Sequence, residues 1–391
     1  MRYNNSMLDG MITWAEIDLD AIAWNVHAFR RFIGDGIDIF AVVKANAYGH
    51  GAIPVAQAAL LAGANRVAVH RLIEAIELRD SGIEAPILVM GYTPPAGAGV
   101  VVEKRLTPSV ITWEFAEALS RQAQAAVVTV PVHIKVDTGM SRYGIMPPDV
   151  VGFARALNRL PGIVLEGLFT HFATADWLDQ SYTLQQLEVF YQVLKEFKGV
   201  RINFPVVHAA NSAALAVRPE SYFDAVRPGI SLYGLPPSPE WPAPFELKPA
   251  LTLKSRVSRV AALPAGSAVS YGRTYIARHR IRAALIPVGY ADGYPRALSN
   301  RGYVLIHGQR APVIGRVCMD QFVVDVSDIE NVQQDDEVVL IGQQGDDRIS
   351  VQELADLAGT IQNEIIASLS ARVVRVYLRD GNLESVTSLR K

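Results

Sequence analysis

Short hydrophobic runs alternate with amphipathic segments through residues 37–233. Stretches such as AIPVAQAALLAG and SYTLQQLEVFYQVLKEF have the apolar spacing of helices packed on a core. Between them, runs rich in β-branched residues predict strands at 37–43, 66–69, 86–90, 109–112 (the weakest), 131–136, 163–169, 204–207 and 229–233. This alternation predicts an α/β fold, a TIM (β/α)8 barrel, with a doubly wound open sheet as the structural alternative.

The pattern changes at the segment LPPSPEWPAPFELKP, residues 235–249. Its six prolines remove backbone donors and disfavour both helices and central strands. Beyond it, strand-like runs such as LTLKSRVSRVAAL and RIRAALIPVGYA follow without regular helices, apart from one helical region at 351–373. We therefore expect a barrel domain over 15–245 and a mainly β domain over 246–391, with residues 1–14 as a segment that could pack with the second domain.

Composition favours a soluble enzyme. The 391 residues suffice for two cores, and 37 basic against 39 acidic side chains are too balanced for a nucleic-acid or membrane-surface protein. The start lacks the features of a secretory signal, and no run reaches the ~18 apolar residues of a membrane span, so a cytoplasmic location is expected. The single cysteine, Cys318, excludes an intrachain disulfide and a cysteine-based zinc cluster, and no metal is expected.

Residues just past the carboxyl ends of barrel strands face the active site. In this chain they are Lys44, Asp137, His171, His208 and Tyr233, with Arg227 just before the last predicted strand. A lysine at the end of an apolar strand is costly to bury in its charged form, so desolvation favours the neutral amine that attacks aldehydes. That amine is what a Schiff base with pyridoxal 5'-phosphate requires, which makes Lys44 a candidate cofactor lysine.

The stretch AVVKANAYGHG around Lys44 closely resembles the cofactor-lysine motif of alanine racemases, pyridoxal-phosphate enzymes with an N-terminal barrel and a C-terminal β domain. Further motifs follow in the family's order over nearly the whole chain: HIKVDTGMSRYG, GLFTHFATAD, HAANSAA, VRPGISLYG, VSYGRTY, VGYADGY and GRVCMDQ. The resemblance implies that Lys44 binds the cofactor covalently and serves as one acid/base. It also implies a phosphate site formed by Tyr48, Ser212, the backbone amides of Gly229 and Ile230, and Tyr377.

Arg227, in VRPGI, matches the family's arginine that faces the pyridine nitrogen of the cofactor. A guanidinium group has only donors, so a ring nitrogen bonded to it must accept and stays largely unprotonated. The cofactor is then a weaker electron sink, which favours rapid reprotonation at Cα and hence racemisation over transamination.

Inversion of a stereocentre needs an acid/base on each face of the substrate. Tyr271, in AVSYGRTY, resembles the family's second acid/base, which reaches the active site from the β domain of the partner subunit in a homodimer. A free tyrosine has a pKa of about 10, so the phenolate form needs nearby donors or cations. We expect His171, with Arg227 behind it, to supply that setting.

The resemblance also implies a site for the substrate carboxylate, formed by Arg142 in GMSRYG and the backbone amide of Met319 in CMDQ. Lys135 matches a lysine that is carbamylated in many family members, where its negative charge positions that arginine. Tyr290, in VGYADGY, resembles a tyrosine at the substrate entrance, and with Tyr377 it would favour a methyl side chain. The remaining strand-end residues, Asp137, His208 and Tyr233, are expected to be scaffold.

These features predict a homodimeric alanine racemase that interconverts L- and D-alanine and supplies D-alanine for the cell wall. A racemase of the same fold with wider tolerance, for example for serine, is the first alternative, and relative rates across amino acids would distinguish it. A pyridoxal-phosphate decarboxylase is disfavoured because the chain has no GGG sequence and only one cysteine. A non-catalytic cofactor-binding protein would need neither Tyr271 nor Arg142.

Overall fold

The computed structural model describes residues 10–241 and 244–387. The chain divides into two compact units. Among the described residues, a barrel unit comprises 21–47, 52–241 and 244–248, and a strand-rich unit comprises 10–20, 48–51 and 249–387. Of the predicted N-terminal segment, residues 1–9 lie outside the described residues, and the first strand, β1, is Thr13–Asp18 in the strand-rich unit.

A closed barrel of parallel strands forms the barrel unit, with strand order following chain order and the last strand paired with the first. Closure confirms the predicted TIM barrel and excludes the open sheet. The strands are β2 Asp38–Val42, β3 Arg66–Val69, β4 Ile87–Val89, β5 Thr107–Val110, β6 Val130–Lys135, β7 Ile163–Phe169, β8 Val206–Asn211 and β9 Ala225–Arg227.

The predicted strand at 229–233 is wrong. Pro228 lacks the backbone N–H that a central strand needs, and the next residues form a 3-10 helix, Ile230–Tyr233, that ends at Gly234 with φ 80°. The segment is nevertheless buried, and the Tyr233 hydroxyl donates to the carbonyl of Val42 at 2.8 Å. A buried strand and a buried turn can have the same short apolar sequence, so hydrophobicity alone did not distinguish the two conformations at 229–233.

Helices cover the barrel by burying one face each. In the helix Trp113–Ala125, for example, Phe115, Ala116, Leu119 and Ala123 are buried and recur at helical spacing. The helices are α1 Leu19–Ile33, α2 Lys44–Tyr48, α3 Ala52–Leu61, α4 Leu72–Asp80, α5 Ala98–Glu103, α6 Trp113–Ala125, α7 Pro147–Leu157, α8 Ser181–Gly199 and α9 Ser212–Val217. Of these, α2 is a single turn with left-handed backbone angles.

The strand-rich unit confirms the predicted mainly β architecture. Its strands are β10 Leu251–Arg256, β11 Arg259–Leu263, β12 Ala268–Val269, β13 Tyr275–Ile276, β14 Ile281–Ile286, β15 Tyr303–Ile306, β16 Gln309–Ile314, β17 Phe322–Asp325, β18 Glu337–Gln344, β19 Asp347–Ile349, β20 Val374–Arg379 and β21 Asn382–Thr387. The main sheet has the order β11-β14-β17-β16-β15-β18-β10-β1-β20-β21, with β19 beside β18, and β12 pairs with β13 separately. Its helices are α10 Val351–Ala358 and α11 Gln362–Ala367.

Within the described parts of the chain, none of the helices is both long enough and apolar enough to cross a membrane.

Asn25, on α1, is fully buried and ties the end of the barrel unit to that helix. Its amide donates to the carbonyls of Leu232 and Lys248 at 3.1 and 2.9 Å, and its oxygen accepts from the Lys248 amide at 2.8 Å. Asn25→Ala leaves these groups unpaired, so we expect a free energy of unfolding lower by about 2–3 kcal/mol. The shift of the urea unfolding midpoint measures it.

Gln122→Ala, on the exposed face of α6, is the control and should change stability by no more than about 0.5 kcal/mol. Equal midpoints for Asn25→Ala and the control would show that the Asn25 bonds do not stabilise the barrel.

Candidate active site

Lys44 is placed by a strained turn at the carboxyl end of β2. Ala45, Asn46 and Ala47 have φ values of 52°, 53° and 53°, in the left-handed region that disfavours residues with a Cβ by about 1–2 kcal/mol each. Local hydrogen bonds hold the turn: the Ala47 amide donates to the Val43 carbonyl, and the Asn46 side chain accepts from the Ala52 amide, both at 2.8 Å. Such strain persists only where surrounding contacts enforce it, as at functional sites.

Glu74, in the first turn of α4, is the contact that sequence reasoning missed. One carboxylate oxygen accepts from the Ala45 amide at 2.5 Å. The other accepts from the amides of His70 and Arg71 at 2.9 and 2.8 Å, so Glu74 joins the Lys44 turn to the start of the next helix. An acidic residue in the first turn of a helix just past a strand end is the signal that could have identified it.

A cavity of about 730 Å3 opens beside Lys44 in the barrel unit. The structure brings five of the predicted residues to its wall: Lys44, Lys135, Arg142, His171 and Arg227. Burial, and then the nearby positive charge of Arg142, lower the pKa of Lys44, while Glu74 acts in the opposite direction. The Lys44 amine is therefore biased towards the neutral, nucleophilic form.

Lys135 is the last residue of β6 and is buried, with its Nζ atom 3.9 Å from the centre of the Tyr143 ring. Burial, and then the charges of Arg142 and Arg227, lower the pKa of Lys135 to about 8. The loop that carries Arg142 is held by Asp137, whose carboxylate accepts from the amides of Gly139 and Ser141, each at 3.0 Å. Asp137 thus has the scaffold contacts expected of it.

Arg227, the last residue of β9, is buried and surrounded by acceptors. It donates to His208 Nδ1 at 2.6 Å and to the carbonyls of Thr170 and Ala209 at 2.7 and 2.9 Å, and it lies 3.3 Å from His171 Nδ1. A guanidinium group has five N–H donors, so these four contacts leave at least one for a ligand. Burial lowers the pKa of Arg227 to about 9, so the group is still a cation at neutral pH.

His171 is held beside Arg227 by its own backbone, because the Gln186 side chain donates to the His171 carbonyl at 3.1 Å. Burial, and then the charge of Arg227, lower the pKa of His171 well below its usual value, so the ring is neutral. Since Nδ1 faces a donor, we assign the ring proton to Nε2. His171 can therefore donate a hydrogen bond from Nε2.

The predicted phosphate residues of the barrel unit lie together past β8 and β9. The Ser212 hydroxyl oxygen accepts from the amides of Gly229 and Ser231 at 2.8 and 3.3 Å, which leaves its own proton available to an acceptor. Ser231 Oγ is buried and has no hydrogen-bond partner among the described residues. A cluster of buried neutral donors next to Ile230 suits an anion.

The strand-rich unit contains the other predicted residues. Tyr377 is buried, and Gly51, with φ 102°, packs so closely that a Cβ there would lie 1.9 Å from the Tyr377 hydroxyl. Burial raises the pKa of Tyr48 to about 12 and also raises that of Tyr377. The neighbouring Gly49 carbonyl accepts from Arg375 at 3.0 Å, which anchors the segment 48–51.

Tyr271, Met319 and Tyr290 lie on adjacent exposed segments of the same unit. Their exposed fractions are 74%, 53% and 44%. Ser270, just before Tyr271, lies 3.3 Å from Cys318 Sγ, and the Tyr290 amide donates to the Cys318 carbonyl at 3.1 Å. The two segments that carry Tyr271 and Tyr290 therefore both contact the loop that carries Met319.

A closed barrel with a desolvated lysine at a strand end, followed by a strand-rich unit, is the architecture of a class of two-domain racemases. Two family models match, alanine racemase N-terminal domain over residues 17–237 and alanine racemase C-terminal domain over 250–377. The chain belongs to the alanine racemase family and is a racemase.

Similar proteins cover almost the entire chain. An alanine racemase of Symbiobacterium thermophilum is 48% identical over 95% of this chain and 98% of its own length, and one of Halothermothrix orenii is 47% identical over 93% and 96%. The crystal structure of alanine racemase from Bacillus anthracis with bound L-Ala-P matches with a TM-score of 0.92 at 42% identity, covering 96% of this chain and 97% of that one.

A histidine racemase from Leuconostoc mesenteroides has the same fold, with a TM-score of 0.88 at 31% identity, covering 97% of this chain and 100% of that one. The fold alone therefore does not identify the amino acid that a member of this family acts on.

Glu74→Ala removes the acceptor for three backbone amides, so the Lys44 turn should open more often. We expect hydrogen–deuterium exchange of peptides covering 43–47 and 69–73 to be faster by about tenfold or more, as a charge-assisted bond contributes about 1.5–3 kcal/mol. Mass spectrometry of the exchanged protein provides the measurement.

Glu77→Ala is the matched control, since Glu77 lies exposed on the same helix. If both variants exchange at the wild-type rate in these peptides, Glu74 does not hold the turn.

Proposed function

We propose that the protein interconverts L- and D-alanine with pyridoxal 5'-phosphate as cofactor, acting as a homodimer in the cytoplasm and supplying D-alanine for the cell wall. The observation that carries the proposal is Lys44, a desolvated amine held on a strained turn in a cavity lined by further cations. The relatives named alanine racemase support the choice of substrate.

The donor chemistry of the chain fits this cofactor. Lys44 supplies the amine for its aldehyde, and Arg227 has an N–H left to donate to its ring nitrogen. For the phosphate we propose the buried hydroxyls of Ser212 and Ser231, the backbone amides of Gly229 and Ile230, and Tyr48 and Tyr377. The Gly229 amide already donates to Ser212 Oγ, so it would be shared with the phosphate. When bound, pyridoxal phosphate withdraws electrons from Cα and so acidifies its proton.

Lys44 then removes or returns the α-proton on one face of the substrate. Its lowered pKa suits an amine that must be a base in one direction and an acid in the other. Arg227 stays cationic and donates, which keeps the ring nitrogen an acceptor and favours return of the proton to Cα.

Tyr271 of the partner subunit is proposed as the acid/base on the other face. Its high exposure in a single chain is consistent with a side chain that acts outside its own subunit. The Nε2 proton assigned to His171, backed by Arg227, is a donor that would stabilise the phenolate form of this tyrosine.

For the substrate carboxylate we propose Arg142 and the backbone amide of Met319, with Tyr290 at the entrance. Lys135 is proposed to be carbamylated and to orient Arg142 through its new negative charge. Its lowered pKa supports this, because only a neutral amine reacts with carbon dioxide.

A racemase of wider tolerance is the second candidate, favoured by the likeness to a histidine racemase. Relative rates across alanine, serine and histidine decide between the two. A rate for serine or histidine equal to that for alanine would overturn the narrower proposal.

Turnover of L-alanine in deuterated water tests the mechanism. The wild-type protein with pyridoxal phosphate should form D-alanine carrying deuterium at Cα, whereas Tyr271→Phe should lose at least about 100-fold of this rate, the usual effect of losing a general acid/base. Chiral chromatography with mass spectrometry separates the products.

The control is Tyr303→Phe, a change of the same chemistry in β15. Racemisation by Tyr271→Phe at the wild-type rate would disprove the second-base assignment, and deuterated L-alanine without the D-isomer from the wild type would disprove racemisation of alanine.

Carbamylation of Lys135 is testable by NMR with 13C-labelled bicarbonate. The wild type should show a carbamate carbon signal that grows as the pH rises from about 7 to about 9, because the neutral fraction of an amine with a pKa near 8 grows over that interval. Lys135→Arg, which cannot react in this way, should show none. A signal of equal size in both proteins would place the carbamate elsewhere.

A further inference from the structure

A series of hydrogen-bonded polar side chains, called the hydrogen-bond chain below, runs through the centre of the barrel from one end of its strands to the other. It begins at Arg227, the last residue of β9, and passes through His208 in β8 and His133 in β6. The consecutive distances are 2.6 Å from Arg227 Nη1 to His208 Nδ1 and 2.8 Å from His208 Nε2 to His133 Nδ1. Both histidines are fully buried.

The chain continues to the opposite end of the barrel. His133 Nε2 lies 3.1 Å from one oxygen of Glu166 in β7, and Arg66, the first residue of β3, donates to the other oxygen at 2.8 Å. Asp38, the first residue of β2, pairs with Arg66 at 3.2 Å. Glu166 also lines a cavity of about 380 Å3 near the first residues of β5 and β6, so this end of the chain reaches solvent.

Arg227 at one end and Glu166 at the other determine which atom donates in each hydrogen bond between them. Arg227 can only donate, so His208 Nδ1 must accept and His208 carries its proton on Nε2. That proton points at His133 Nδ1, which must therefore accept, leaving the His133 proton on Nε2 facing Glu166. A protonated His133 would force His208 to place a proton against the Arg227 donor.

The ionisation of these groups agrees with this direction. Burial lowers the pKa of His133 and, even further, that of His208, so both rings are neutral. Burial alone would raise the pKa of Glu166, but hydrogen bonds from His133 and Arg66 outweigh it and lower the pKa to about 2. Glu166 is thus an anion that accepts from both neighbours.

Close packing holds the two histidine rings of the hydrogen-bond chain in position. Gly167 lies opposite His133 in the paired strands, and a Cβ there would be 2.2 Å from His133 Nδ1. The His208 ring stacks on both Phe40 and Phe169, at 5.0 and 4.9 Å between ring centres. A turn of either histidine ring that exchanges its two nitrogens would have to displace these neighbours.

We propose that Glu166 and His133 are positioning residues for the reaction, because Glu166 accepts the proton of His133 Nε2, stabilises the bond direction that Arg227 requires, and so keeps an acceptor turned towards Arg227. The inference rests on the proposed function, in which the orientation of Arg227 towards the cofactor ring matters.

Glu166→Gln should reverse the donor and acceptor of each hydrogen bond between residue 166 and Arg227. An amide has one acceptor oxygen, and Arg66, which only donates, requires it. The amide NH2 then faces His133 Nε2, which must accept, so the protons of His133 and His208 should both move to Nδ1 and set a donor against Arg227. We expect kcat for racemisation to fall about tenfold, on the order of one hydrogen bond to a charged group, with a smaller change in KM.

The measurement uses holoenzyme with 15N-labelled histidine and NMR correlations that distinguish protonated from unprotonated ring nitrogens. The wild type should show the proton on Nε2 in both histidines, and Glu166→Gln should show it on Nδ1. Asp38→Asn is the matched control: it weakens the other carboxylate contact of Arg66 and should leave both tautomers and kcat unchanged.

A wild-type His208 protonated on Nδ1 overturns the proposal, and that result needs no variant, so it decides the matter even if Glu166→Gln does not fold. Unchanged tautomers in Glu166→Gln, or reversed tautomers with unchanged kcat, also overturn it. If the wild type shows the expected tautomers but racemises no amino acid, the direction of the hydrogen bonds is supported and only the proposed function is overturned.

Discussion

The gathering of like charges around one cavity is the constraint on which the rest of the site depends. Lys44, Lys135, Arg142 and Arg227 all line the cavity at the carboxyl ends of the barrel strands, and of these Lys135 and Arg227 are buried, Lys44 is half-buried and Arg142 is exposed. Removing cations from water is costly, so the protein must neutralise them, surround them with acceptors or lower their charge. Each response is present, since Glu74 opposes the shift at Lys44, carbonyls and His208 surround Arg227, and the pKa values of both lysines fall. The remaining positive charge suits the phosphate and carboxylate groups proposed to bind there.

The local backbone is strained at the same place. Four consecutive residues after Lys44, from Ala45 to Tyr48, are left-handed, and Lys44 lies at the cavity wall. That conformation is unfavourable for residues with side chains, so it requires contacts from outside the turn. Glu74 and the backbone amide of Ala52, which donates to the Asn46 side chain, provide them in the barrel unit. Chemistry and strain are therefore located at the same few residues.

The interior of the barrel is less apolar than its strands suggest. Barrel cores are usually filled by branched aliphatic side chains, whereas this one contains two hydrogen-bonded histidines and a salt-bridged carboxylate, linked in sequence to Arg227. Buried polar groups are tolerated when every member has a partner, and the series from Arg66 through Glu166, His133 and His208 to Arg227 meets that condition at each link. Such a network gives the Arg227 guanidinium a defined orientation, which an aliphatic core could not provide.

Much of the architecture was determined by the sequence alone. The alternation of strand and helix patterns predicted the barrel, the proline-rich segment predicted the change of architecture, and the motif around Lys44 indicated the family, because all three depend on residues close together in the chain. The apolar run at 229–233 was misassigned, since hydrophobicity reports burial and does not report backbone conformation. Glu74, His133 and Glu166 were also missed as site residues, although a glutamate inside IVLEGLF and a histidine inside PVHIKV were unusual for apolar strands. Their roles depend on hydrogen bonds between strands and helices far apart in sequence, and only the tertiary structure decides which of these groups meet, at what distance, and with which atom as the donor.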